Sequence, residues 1–122
     1  MAAFKVNLQI LQGSTFNELV TYQTGATTAT AVPVNLTGCT ARMQARPTLE
    51  SSTVLLNLTT ENGGIVLGGV AGTIRLQLSA TATAAIPWKQ AVYDLELVFA
   101  DGTVTRKLAG SISVSPEVTR VA

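Results

Sequence analysis

The chain is 122 residues long, with 47% hydrophobic residues, only 12% charged residues and a formal net charge of +1, which bounds it to one core of ordinary size. Its 8 basic residues are scattered, and this excludes nucleic-acid or membrane partners held by charge, since phosphate neutralisation needs clustered Lys and Arg. A surface that is Thr-rich and nearly neutral suits a protein packed against others.

In chain order, "MAAFKVNLQIL" alternates apolar and polar residues instead of forming an apolar run. It is expected to be a strand, with Phe4, Val6, Leu8 and Ile10 on one side, and not a signal peptide. No stretch approaches the roughly 20 apolar residues of a membrane span. Gly13-Ser14 breaks the pattern, and "TFNELVTYQT" predicts a second strand that buries Phe16, Val20 and Tyr22. Residues 24–31, "TGATTATA", lack periodicity and read as a loop. After Pro33, "VNLTG" turns into "CTARMQARP", where Cys39, Ala41, Met43 and Ala45 alternate with Thr40, Arg42, Gln44 and Arg46. Pro47 ends that strand because it cannot donate to a ladder.

"STVLLNLTT" then places Val54, Leu56 and Leu58 inward, followed by the turn "ENGG", a short strand "IVL" and the loop "GGVAG". "TIRLQLS" buries Ile74, Leu76 and Leu78 and turns Arg75 and Gln77 to water. One short helical turn is expected over 79–86, capped by Ser79 and ended by Pro87. Trp88 is expected to pack at a rim or between sheets. With the last hairpin and "SISVSPEVTR", the chain has about seven or eight short strands at turn spacings of about 8–12 residues. The expected fold is all-β, an antiparallel β-sandwich or barrel in one domain, 1–122.

The sequence holds no histidine, so the commonest general base and the commonest metal ligand are both missing. No nucleophile–His arrangement is available and a zinc site lacks its usual ligands; catalytic residues, metals and cofactors are all expected to be none. Cys39, the single cysteine, excludes an internal disulfide and reads as a small apolar core group, in a chain folded in a reducing cytoplasm. "GGIVLGGVAG" lacks the trailing Lys of a phosphate-binding loop, and the "NLT" triplets at Asn35 and Asn57 read as chance matches. Arg42, Arg46 and Arg75 read as sharing one outer sheet face. With Trp88 they are the candidate partner contacts, although a solvated face is the plainer reading of the arginines.

The stretch "YDLELVFADGTVTRKLAG", residues 93–110, concentrates Asp94, Glu96, Asp101, Arg106 and Lys107. Two carboxylates on one face invite comparison with glycoside hydrolysis. Asp101-Gly102 fits a two-residue turn with positive φ at both positions, and the register that follows sets Leu97 opposite Arg106, Glu96 opposite Lys107 and Leu95 opposite Leu108. Glu96 and Lys107 then form an exposed ion pair worth about 0.2–1 kcal/mol, which makes the acids architectural. Tyr93, Leu95, Leu97, Phe99, Val104 and Leu108 form the core face. Arg106 is the misfit on that face, unless its head reaches water from an open end or a β-bulge turns it outward.

"NLTG" (35–38), "ARMQAR" (41–46), "GTIRLQLSATATAAIP" (72–87), "AVYDLEL" (91–97) and "DGTVTRKLAGSISVSPEVTR" (101–120) resemble small tailed-bacteriophage virion proteins. These are similar to the immunoglobulin-like N-terminal domain of phage baseplate upper proteins. The resemblance implies an immunoglobulin-like β-sandwich and a non-enzymatic part of the tail, neck or baseplate. Such a protein acts through many-copy contacts with other virion proteins or with itself. Its expected location is the virion, after synthesis in the bacterial host cytoplasm. Relatives often continue into a longer fibre or baseplate protein; with nothing after Ala122, a free-standing component is expected here. The alternatives are a head decoration or cement protein, and a carbohydrate-binding module for host glycans with Trp88 and Tyr22 as platform residues. The last is opposed by an aromatic content of 5%; a hydrolase ranks third.

Overall fold

The computed structural model describes residues 4–24 and 32–119. The chain is mostly β. Among the described residues the strands are β1 (Phe4–Lys5), β2 (Leu8–Leu11), β3 (Phe16–Thr21), β4 (Gln23–Thr24), β5 (Val32–Pro33), β6 (Thr40–Arg46), β7 (Leu56–Thr59), β8 (Ile65–Leu67), β9 (Thr73–Leu78), β10 (Gln90–Val98) and β11 (Val104–Ser115), with one α-helix, α1 (Ala80–Ala84), before β10 and a single 3-10 turn at Gly69–Ala71. The larger sheet has the order β1–β11–β10–β6–β7, with β2 also on β11; the smaller runs β3–β9–β8, and β4 pairs with β5. Residues 25–31, most of the expected 24–31 loop, lie outside the described residues, while Thr24 is in β4, opposite Val32.

Period-two alternation decides which sides face inward. Ala41, Met43 and Ala45 of β6, Tyr93, Leu95 and Leu97 of β10, and Ile74 and Leu76 of β9 are all buried, and one cluster joins the two sheets. Three expected core residues, Val54, Phe4 and Val104, are not in it. Val54 is 42% exposed because it precedes β7, in a stretch without strand geometry, and Phe4 is 53% exposed at the sheet edge.

The expectation of an antiparallel sheet needs correction at the start of the chain. β1 and β2 run parallel to β11, with Phe4 opposite Leu108 and Ile10 opposite Val114. The turn through Gly13 leads from β2 into the other sheet, so β2 has no hairpin partner beside it and pairs with the last strand instead.

The helix forms where expected. The Ser79 hydroxyl oxygen accepts from the Ala82 N–H at 3.1 Å, an N-cap bond. Thr83 is fully buried; its hydroxyl donates to the Ser14 carbonyl at 2.8 Å and accepts from the Gly13 N–H at 3.1 Å. These bonds tie α1 to the β2–β3 turn. Thr83→Val keeps the shape and strands both backbone groups, so a loss of about 2 kcal/mol is expected. An unchanged urea midpoint would show that these bonds contribute nothing.

Two outer edges carry devices against stray pairing. Beside β7, the Asn62 side chain accepts from the Thr59 N–H at 2.9 Å and donates to the Asn57 carbonyl at 3.0 Å, satisfying edge groups from within. On β3, Glu18 lies opposite buried Leu76 and thus on the core-facing side, a charge position that disfavours an added strand.

Candidate functional site

The charged hairpin of β10 and β11 is built differently from its expected register. Phe99 N–H donates to Thr103 O at 2.8 Å and Gly102 N–H to Phe99 O at 2.9 Å, which closes a loop of Ala100, Asp101 and Gly102. Only Gly102 has positive φ, at 90°. Asp101 keeps ordinary backbone geometry and uses its carboxylate to accept from the Thr103 N–H at 2.9 Å, a bond that holds its pKa below the usual value. The two-residue turn is therefore a three-residue loop ending in a left-handed glycine.

One extra loop residue shifts the next pairs by one. Val98 faces Val104, Leu97 faces Thr105 and Glu96 faces Arg106; the register then skips Lys107, and Leu95 faces Leu108 as expected. Lys107 is thus the extra residue of a β-bulge, and the two irregularities cancel beyond it. Between them the faces exchange. Val104, expected in the core, is 48% exposed, and Arg106 points outward, which resolves its misfit through the bulge.

Lys107 goes inward. It is only 3% exposed, and its ammonium lies 3.5 Å from the Tyr22 ring centroid and 4.4 Å from that of Phe4. The expected Glu96–Lys107 pair is absent because the bulge places the two side chains on opposite faces of the sheet.

Glu96 belongs instead to a ladder of charges on the outer face of the larger sheet. It lies opposite Arg42 on β6 and Arg106 on β11, and Arg42 Nε donates to its Oε1 at 2.7 Å. Asp94 lies opposite Gln44 and has the Arg106 guanidinium at 4.0 Å. Arg46 donates to Gln44 Oε1 at 2.7 Å and to the Ser51 carbonyl at 2.8 Å, which pins the β6–β7 connection that displays Leu49, 79% exposed. Two shallow hollows open here. One of about 170 Å³ lies among Gln44, Arg46, Leu49, Val92, Asp94 and Arg106. The other, of about 280 Å³, is lined by Arg42, Gln44, Arg46, Asp94 and Glu96.

No family model matches the chain, and no curated protein matches it.

Of the candidate contacts, Arg42 and Arg46 share this face. Arg75 does not: it lies on β9 of the smaller sheet and donates to Asn17 Oδ1 at 2.6 Å. Trp88 is half-buried and packs against the core. Cys39 is also partly buried, and burial, with the Asp101 charge adding, pushes its thiol pKa up, away from thiolate chemistry. Tyr93 donates from its hydroxyl to the Val6 carbonyl at 2.6 Å. Burial, assisted by the Glu18 charge, pushes its pKa up to about 12, so it stays a proton donor at ordinary pH. A larger hollow of about 550 Å³ near β7, β9 and α1 is lined by neutral residues such as Leu56, Leu58, Asn62 and Leu78.

Sequence reasoning missed the contributions of Gln44 and Leu49 to the outer face and the Lys107–Tyr22–Phe4 cluster inside. The cluster had one signal. Two adjacent charges, Arg106 and Lys107, in an alternating strand require one of them to face inward.

Proposed function

We propose that the chain is a non-enzymatic structural protein of a tailed-phage virion, acting in the tail, neck or baseplate through protein contacts made by many copies. The observation that carries this reading is the outer face of the larger sheet. Acids and arginines alternate there across three neighbouring strands, with Glu96 hydrogen-bonded to Arg42 and Asp94 beside Arg106. A carboxylate tied up in this way serves recognition better than proton transfer, and a broad face carrying both signs suits a specific protein partner.

The strand order supports the immunoglobulin-like part of the reading. A sheet with β11, β10, β6 and β7 in succession opposite β3–β9–β8 follows the two-sheet division of immunoglobulin-like sandwiches, in which strands cross between sheets. The phage assignment rests on the sequence resemblance. The glycan-binding alternative is disfavoured by Trp88, which is committed to packing, and by Tyr22, which covers Lys107.

The test is quantitative mass spectrometry of purified particles of the phage that encodes the chain, with antibody labelling under the electron microscope. Multiple copies per particle at one location are expected. Particles free of the protein would overturn the proposal.

A further inference from the structure

We infer that the outer face of the larger sheet is a self-complementary surface whose partner is a second copy of this chain, forming a face-to-face dimer. The inference rests on the reading above that the protein works through many-copy contacts, and it names the first of those contacts.

The argument starts from the register. On β10 the acids Asp94 and Glu96 form one column. On β6, one strand away, Arg42 stands directly beside Glu96, and on β11 Arg106 does the same on the other side. A twofold axis parallel to the strands and between β6 and β10 exchanges those two strands and keeps the position along them. It therefore lays Glu96 of each copy over Arg42 of the other, a square of four alternating charges with no like pair face to face. The same operation sets Asp94 over the neutral amide of Gln44 and Val92 beside the stem of Arg46. A twofold contact uses the same patch twice, so the pattern has to complement itself, and this one does.

Two further observations favour a face over an edge. The edge of β7 is satisfied by Asn62 and that of β3 carries Glu18, so strand addition at these two edges is disfavoured. The face also offers apolar area, with Leu49 79% and Val92 37% exposed. Across this axis β7, β6, β10 and β11 overlie one another; about 4.8 Å apart and over about 20 Å of length they give a patch smaller than that of stable specific interfaces. The expected dimer is accordingly reversible and weakened by salt.

The experiment is analytical ultracentrifugation of three proteins. Wild type is expected to shift with concentration from the 12.7 kDa monomer toward twice that mass, and to shift back in about 1 M salt. Asp94→Lys with Glu96→Lys makes a wholly basic face, and Arg42→Glu with Arg106→Glu a predominantly acidic one in which Arg46 is kept because it pins the β6–β7 connection. Each alone is expected to be monomeric, and an equal mixture to form the mixed dimer. Wild type that stays monomeric up to about 1 mM overturns the inference; so does either variant dimerising alone, or a mixture that does not associate. Circular dichroism checks that the variants are folded. If one is not, Leu49→Glu on the exposed connection takes its place and is expected to abolish the wild-type dimer; its retention overturns the inference. A monomer found in particles sinks only the dimer, and a dimer absent from particles sinks only the virion assignment.

Discussion

Replacing Lys107 with alanine is expected to destabilise the protein by about 3 kcal/mol, measured as a lowered urea midpoint. Lys107 is the bulge residue of β11, almost wholly buried, with its ammonium over the rings of Tyr22 and Phe4. A desolvated cation–π contact is worth about 2 kcal/mol or more, and truncation also removes the aliphatic stem that fills space beneath the rings. Lys107→Met separates the two effects. It keeps most of the stem, loses the charge, and is expected to recover about half of the loss. Lys107→Glu puts a carboxylate against the negative ring faces and is expected to be the most damaging of the three. An alanine variant as stable as wild type would remove Lys107 from the list of organising residues.

Gly110→Ala is the second large effect, expected to cost about 2–4 kcal/mol by overpacking. A Cβ at this position falls inside van der Waals contact with the Val6 carbonyl oxygen and also meets Asn7 Oδ1 at 3.0 Å. The obstacle is backbone, so relief requires the first strands to lift from β11. That movement sacrifices the Val6 N–H bond to Ala109 O at 2.9 Å and the Tyr93 hydroxyl bond to Val6 O at 2.6 Å. It also weakens the contacts of Asn7 Oδ1 with the N–H and hydroxyl of Ser111, both 3.2 Å. Hydrogen exchange is the sharper readout: the Val6 amide is expected to lose protection ahead of the β6 and β10 amides. Uniform loss across the sheet would place the damage elsewhere.

Much of the fold was legible because alternation is a direct consequence of the pleat. β6, β9 and β10 bury the residues that period two selects, and Ser79 caps the short helix. The charged hairpin was only partly legible, for a physical reason. A bulge adds one residue without changing which residue types are present, and a three-residue loop looks like a two-residue one when both contain Asp-Gly. Either irregularity alone shifts one arm of the hairpin by one residue; the two together hide each other, which is why Leu95–Leu108 came out right while Glu96–Lys107 did not. The outer-face ladder was less legible still. Arg42 and Glu96 are 54 positions apart in the chain, and only the β6–β10 pairing brings them together. Arg75 failed to join it because adjacency of sheets, unlike alternation, is not written locally.

The parallel placement of β1 and β2 on β11 has a mechanical consequence. Phe4 lies opposite Leu108 and Leu11 opposite Ser115, so the early strands begin toward one pole of the molecule and the last strand finishes toward the other. Tension drawn through both ends pulls these neighbours lengthwise past each other. Their hydrogen bonds are then loaded together, instead of opening one after another as in a peeled hairpin. A body wired in this way is expected to meet a stretch along its strands in shear, with β1, β2 and β11 as the clamp.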